Sequence, residues 1–504
     1  MTNRWFSTMT CVGLALCFCS VALGQTPVNV APNPSTEEGD GDKPAGWFNE
    51  FGGGTWVNDE AHTGQRSFRV DGFAGATRGW TSDMIPVPEP GKSQFVLKVW
   101  AKMEQVTGNN GAFFGFYHTD ENGERIGQSG GIFIGGVGQT VTTEPWAQYL
   151  TVSALTPEVR GIRINMRLYG ATGTIWWDDV ECCLRESPEL TAPVALRRGL
   201  RVAETAGTAI VSCEGGDVQA ARIAAALKAK GWDVPVVAPG EVDLSSDPRD
   251  LILLGNLTTS PAAEHLYLHS YTYEDLYYPG GGGYVLRPLV NPLGNGCNYL
   301  VVGASDDAGL AAGVDALIEQ IDNAAGGLDV DLAVNTGEGY KGLSSFPYAL
   351  SGPRRELGPA MEYLKEGKLE AAQRYRETML QHAATPDEAL FASDNSLHLY
   401  YITQTMSWDL MHACPVFSDG ERLTITRYML KVLRSEQGYG YTSLRAGMYT
   451  RENHGTRAAQ AFYFGWRHFM KYYQAPLEVE LWLWRTKLRD FWAAPFASSR
   501  SFED

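Results

Sequence analysis

The stretch GIRINMRLYG, Gly161 to Gly170, alternates apolar and polar residues without a break. Successive side chains of a strand point to opposite faces, so this period of two sends Ile162, Ile164, Met166 and Leu168 inward and Arg163, Asn165, Arg167 and Tyr169 outward. FVLKVWAKM, residues 95–103, repeats the pattern, with Phe95, Leu97, Val99 and Ala101 on one face and Lys98, Trp100 and Lys102 on the other. Runs of this kind, separated by Gly, Asn, Asp and Pro clusters, occupy residues 25 to about 186 with no helical period, which predicts an all-β segment. Its outward set of Arg, Asn and Tyr suits a sugar, since rings stack on pyranose faces while guanidinium and amide groups bond hydroxyls. The same set also serves as an ordinary solvated sandwich face.

Three ordered stretches of this segment, NPSTEEGDGDKPAGWF (33–48), AHTGQRSFRV (61–70) and GTIWWDDVEC (173–182), resemble the jelly-roll carbohydrate-binding modules attached to secreted glycan-degrading enzymes. The resemblance implies a β-jelly-roll sandwich over 25–186 and a structural Ca²⁺. In this sequence Glu37 and one of Asp178 or Asp179 match the ligand positions, and hard carboxylate oxygens suit that ion.

The chain has 504 residues, room for roughly three domains at about 150 residues each. MTNRWFSTMTCVGLALCFCSVALGQ reads as a secretory signal over 1–24: Arg4 precedes an apolar run from Cys11 to Leu23 with small residues at its end, too short to span a bilayer. Removing it takes Cys11, Cys17 and Cys19 and leaves Cys182, Cys183, Cys213, Cys297 and Cys414, without metal-site spacing. The formal net charge of −17 argues against general binding to nucleic acid or acidic membrane. From Glu421 to Asp504, however, thirteen Lys and Arg face eight Asp and Glu, a local surplus of five positive charges.

From about 195 to 330 strands and helices alternate, as in TAIVS followed by VQAARIAAALKAKG and NYLVVGAS followed by AGLAAGVDALIEQI, which predicts a small α/β domain. GGGG at 280–283 leads into strand-like YVLRPLV rather than a helix, so it lacks the context of a phosphate loop. The segment is similar at fold level to the small α/β domains that precede the catalytic barrels of α-glucuronidases and hexosaminidases, a likeness that transfers no site.

After the linker GLSSFPYALSGP, residues 345–504 read as helical, five helices in about 140 residues, with Ser418 and Glu421 in capping-box spacing at the start of one. Aromatic-rich helices joined by short connections point to an incomplete (α/α) toroid, since a full ring needs roughly twice as many. In YTRENHGTRAAQAFYFG, Asn453 and His454 precede a helix among Arg451 and Arg457. Free N–H groups and positive charge there favour an anion. The stretch resembles the α/α-toroid polysaccharide lyases of the alginate, chondroitin and heparin type, which cleave uronate polymers by β-elimination.

That resemblance implies His454 as proton acceptor and Asn453 or Asn395 as the carboxylate ligand. Its positive charge gives Arg457 a part in substrate binding, and the resemblance implies Tyr463, nine residues after the histidine, as the acid. Nine residues of regular helix turn a side chain by about 180°, so the pair can cooperate only if His454 precedes the helix; Tyr439, Tyr441 and Tyr449 are alternatives. A glycoside hydrolase on the same scaffold needs two carboxylates, and Asp394 and Asp409, fifteen residues apart, are the visible ones. A non-catalytic glycan-binding protein is the third reading.

Overall fold

The computed structural model describes residues 28–89, 93–155, 158–186, 188–343, 356–385, 397–438 and 453–478, with 480, 481, 484, 485 and 488. The chain divides into two units, Met1–Ser187 and Pro188–Asp504.

The first unit is all β. Its strands are β1 (Gly39–Asp40), β2 (Lys43–Pro44), β3 (Trp47–Phe48), β4 (Gly54–Val57), β5 (Ser67–Asp71), β6 (Thr77–Ser82), β7 (Ile85–Pro86), β8 (Ser93–Thr119), β9 (Arg125–Gly135), β10 (Thr142–Ala154) and β11 (Gly161–Glu186). β8 and β11 run antiparallel along their whole length. The first half of β8 and the second half of β11 lie between β10 and β5–β4, whereas the other halves lie between β9 and β6–β3. Phe95 and Phe116 touch edge-on with centroids 4.3 Å apart. On a straight strand those residues would be roughly 70 Å apart, so β8 must bend and put its halves in facing layers. The bend falls at Gly108–Gly111, and β11 shifts register opposite it. At Gly173, φ is 92° and a Cβ would meet Gln105 O at 2.4 Å, so only glycine fits that crossing.

The inward sets are as the alternation predicts. Ile162, Ile164, Met166 and Leu168 are buried with Phe95, Leu97, Val99 and Ala101 in one core that also takes Trp47, Trp56, Phe68, Trp80 and Trp177. The result is a β-sandwich.

The second unit opens with a six-stranded sheet in the order β13 (Val236–Val237), β12 (Thr208–Val211), β14 (Asp250–Leu254), β16 (Tyr299–Ala304), β15 (Tyr284–Leu289), β17 (Ala333–Asn335). The first four are parallel and β15 is antiparallel to both neighbours. Helices α1 (Asp217–Ala229) and α3 (Asp307–Asn323) cover one face and α2 (Pro261–Leu268) the other, which is why LILL and YLVV are apolar without alternation. The glycine run leads into β15, and Gly282 N donates to the carboxylate of Asp306, the residue that caps α3.

The helical part continues this unit rather than forming a separate one. It contains α4 (Leu357–Glu366), α5 (Leu369–Ala383), α6 (Leu397–Met411), α7 (Asp419–Gly438) and α8 (Asn453–Tyr472). α4 is a helix ended by Gly367 in the left-handed region. The capping box is present: Ser418 N donates to Glu421 Oε2 at 3.0 Å and Glu421 N returns to Ser418 Oγ at 3.4 Å. α4 pairs with α5, α6 packs chiefly on α8, and α7 lies against α5 and α8. Gly465 lets α8 approach α7, since a Cβ there would sit 2.4 Å from Leu433. Leu477, Leu481, Trp484 and Leu488 join the same core at helical spacing. No helix among the described residues is long and apolar enough to cross a membrane. Of the linker at 342–353, residues 344–353 lie outside the described residues.

Candidate functional site

On the layer formed by β6, β11, β8 and β9, the residues read as outward-facing lie in register with aromatic and glycine positions. Arg163 is opposite Tyr117, Asn165 opposite Gly115 and Thr81, and Arg167 opposite Phe113. Glycine at 115 and 131 leaves room for the Phe113 ring, which a Cβ at either position would meet within 2.6 Å. Phe113 in turn touches Phe133 and Tyr169, at 5.0 and 5.5 Å between centroids.

Asn165 and Arg167 are only 1% and 6% exposed, which corrects the expectation that this whole row faces solvent. The loop after β3 folds over them. Glu50 Oε2 accepts from Arg167 Nη2 at 2.9 Å and from Thr81 Oγ1 at 2.6 Å, Asn165 Oδ1 also accepts from Arg167, and Phe51 lies 4.2 Å from the guanidinium. Arg163 sits under Phe48 at 5.5 Å and Arg125 beside Tyr117 at 5.8 Å. Burial raises the Tyr117 hydroxyl above its ordinary pKa and Glu50 adds to this, while Arg163, Arg167 and Arg125 oppose it. Aromatic rings with guanidinium groups beneath them are left at the surface, an arrangement able to stack on one face of a ring-shaped ligand and donate to its polar edge.

Glu37, Asp178 and Asp179 each bond the turn at 62–66. Glu37 Oε1 accepts from the amides of Gln65 and Arg66, at 2.7 and 2.8 Å, and Asp178 Oδ2 from those of His62 and Thr63, at 2.8 and 3.1 Å. Asp179 holds His62 Nδ1 at 2.6 Å, and that imidazole stacks on Trp100 at 3.9 Å. Asp178 is buried, which pushes its carboxyl up to about 6; the like charge of Asp179 adds to this and the backbone amides only partly offset it. A buried carboxylate of this kind suits a hard cation. Among the described residues, however, no three acidic, His or Cys side chains gather as a metal-ligand set, so backbone carbonyls would have to complete any Ca²⁺ shell.

In the second unit, α8 begins at Asn453 and contains His454, Arg457 and Tyr463. The side chains of Asn453, His454 and Arg457 lie outside what the structure describes, as do Asn395, Asp394, Tyr439, Tyr441 and Tyr449. His454 and Tyr463 both fall within α8. Tyr463 is half-buried beside Phe464 and Arg467. Asp409 is buried and paired with Arg467 and Lys471, the opposite of an accessible catalytic acid. The sequence reading missed this cluster, although Arg467 and Lys471, four apart within GWRHFMKYY, mark one helix face with two cations. All five remaining cysteines are free and buried.

No family model matches the chain and no curated protein is similar to it. Solved structures are similar to part of it, among them the following three. The CBM22-1 xylan-binding domain from Paenibacillus barcinonensis Xyn10C is 14% identical over 30% of this chain and 92% of that one, with a TM-score of 0.23. TmCBM61, solved with beta-1,4-galactotriose, is 16% identical over 32% and 99%, with a TM-score of 0.22. The enzymatically active domain of bacteriophage CBA120 tailspike protein 4 is 24% identical over 31% of this chain but only 22% of that one, with a TM-score of 0.25. Likenesses of this size transfer no site residue.

Proposed function

We propose that the first unit binds polysaccharide through the face bearing Phe48, Phe51, Arg163, Arg167 and Tyr169, as part of an exported carbohydrate-active protein. The observation that carries this reading is the exposure of Phe48 and Phe51, 37% and 40%, against the guanidinium groups of Arg163 and Arg167. Exposed rings of this kind are matched by the C–H face of a pyranose, and the arginines by its oxygens. An acidic polymer fits best, because among the described residues Arg125 and Arg163 form no ion pair while Arg167 is neutralised by Glu50. The jelly-roll class, and a Ca²⁺ held with Glu37 and Asp178 or Asp179, belong to the same proposal.

The test is isothermal titration of the full chain with neutral and uronate-containing polysaccharides. Saturable binding is expected, weakened about three- to tenfold by Phe51→Ala, the worth of one aromatic contact. Wild-type affinity in a Phe48→Ala/Phe51→Ala double variant would move the site elsewhere.

For the helical part, the finer reading is a polysaccharide lyase relative on an incomplete α/α toroid, acting by β-elimination on a uronate polymer. What supports it is the sequence around Asn453 and His454, which stand among Arg451 and Arg457 ahead of an apolar run. On this reading helix N–H groups and Arg457 favour a carboxylate there, and the neutral imidazole of His454 accepts the adjacent proton. The hydrolase alternative has lost Asp409 to its ion pairs. New unsaturated uronate ends after incubation with acidic polysaccharide support the lyase; new reducing ends without unsaturation support the hydrolase instead.

A further inference from the structure

His412, one residue past α6, and His468, in α8, face each other with ring centroids 4.8 Å apart and are 1% and 2% exposed. None of their four ring nitrogens has a hydrogen-bond partner among the described residues. Aromatic rings wall them in: Tyr472 stacks on His412 at 4.6 Å, Trp408 meets it edge-on at 5.2 Å, and Phe469 lies 5.2 Å from His468.

The charged groups facing the pair come from every neighbouring element. α6 supplies Asp409, α8 supplies Arg467 and Lys471, and the loop after α2 supplies Tyr271, 4.0 Å from the Arg467 guanidinium. α7 supplies Arg422, which donates to the carbonyls of His412 and Cys414 and pairs outward with Asp419. Among the described residues, the one carboxylate at the pair is Asp409, and it is already shared: Arg467 Nε lies 2.6 Å from Oδ2 and Lys471 Nζ 2.6 Å from Oδ1. Three cations therefore stand against one inner carboxylate.

The same residues hold α8 to the loops of the sheet. Arg467 donates to the carbonyl of His269, Asn291 Nδ2 donates to Lys471 O at 2.9 Å, and Tyr472 donates to Val290 O at 3.1 Å. We propose that His412 and His468 form an acid-sensitive latch, whose protonation opens the contact between α8 and the loops at 269–271 and 290–292. A proton on either ring adds a buried charge that finds no free carboxylate among the described residues. Separation of α8 from α6 and the loops is the route by which that charge becomes hydrated.

Burial holds both imidazoles well below their ordinary pKa. His468, Arg422 and Lys471 push His412 further down against Asp409, and Lys471 and Arg467 do the same to His468. The closed form thus binds fewer protons than the open one. Its stability is complete above the ordinary histidine value of about 6.5 and is lost as pH falls below it. Each ring multiplies the open-to-closed ratio by about ten per pH unit, so the pair gives about a hundredfold.

Hydrogen exchange on the full chain at pH 7 and pH 5, with rates corrected for the chemical pH dependence of exchange, reads this ratio in peptides covering 403–412 and 459–472. Opening should rise by two or more orders of magnitude at pH 5, and the rise should vanish in His412→Gln/His468→Gln. Equal protection of wild type at both pH values, or an unchanged rise in the double variant, overturns the latch. Should the double variant not fold, carbon-13 histidine resonances of the wild type decide. The latch requires that neither ring titrate ahead of opening, and a ring titrating near 6.5 with α8 still protected refutes it.

Discussion

Arg467 Nε lies 2.6 Å from Asp409 Oδ2, and this bond joins α6 to α8 inside the second unit with both side chains buried. Lys471 takes the other carboxylate oxygen at 2.6 Å, yet its ammonium falls to about 8, because burial outweighs the attraction of Asp409 and the charge of Arg467 adds to the fall. Asp409→Asn leaves two buried cations without a counter-charge and is expected to cost about 3–5 kcal/mol. Urea unfolding at pH 7 measures it. Were Asp409 a hydrolytic acid instead, the variant would lose turnover while keeping its stability.

In the first unit Asp178 is expected to give the opposite pH trend. Its folded value, raised to about 6 from 3.8, means the folded state holds the proton more tightly. Its contribution favours folding below the unfolded value and is lost, by up to about 3 kcal/mol, as pH rises to 6. Saturating calcium, if held by this carboxylate, lowers that value and removes the decline while raising the melting temperature. Identical melting in calcium and in chelator at pH 7 would leave these carboxylates without a metal.

Arg163→Gln removes from the aromatic face a cation that forms no ion pair among the described residues, while leaving Phe48 in place. Binding to a uronate polymer should weaken several-fold, binding to a neutral one should change little, and added salt should mimic the substitution. Equal losses on both polymers would mean that Arg163 positions the ring rather than reading charge.

For the lyase reading, His454→Ala is expected to lower turnover by about 10²–10⁴-fold, the usual worth of a general base. Tyr463→Phe should likewise lower turnover if Tyr463 is the acid, and turnover near wild type would point to Tyr439, Tyr441 or Tyr449 instead.

Much of the fold was legible because strands and helices impose short periods. The inward rows of 95–101 and 162–168, the apolar strands 251–254 and 299–302, and the Ser418–Glu421 cap all follow from neighbours within a few residues. The candidate sites were less legible. Asn165 and Arg167 read correctly as pointing away from the core, yet Glu50 and Phe51 cover them from more than a hundred residues earlier in the chain.

The sequence by itself determined where the chain is β, where strands and helices alternate, and where it is helical. Local backbone geometry turns residue order directly into faces, and burial then selects the apolar one. Only the tertiary structure decided that the sheet and the helices share one unit, that Asp409 is a buried counter-ion, and that His412 and His468 stand together beside a carboxylate already paired with Arg467 and Lys471. Those outcomes depend on pairings across tens to hundreds of residues. There the cost of burying charge is settled by whichever distant group arrives beside it, and no local period encodes that.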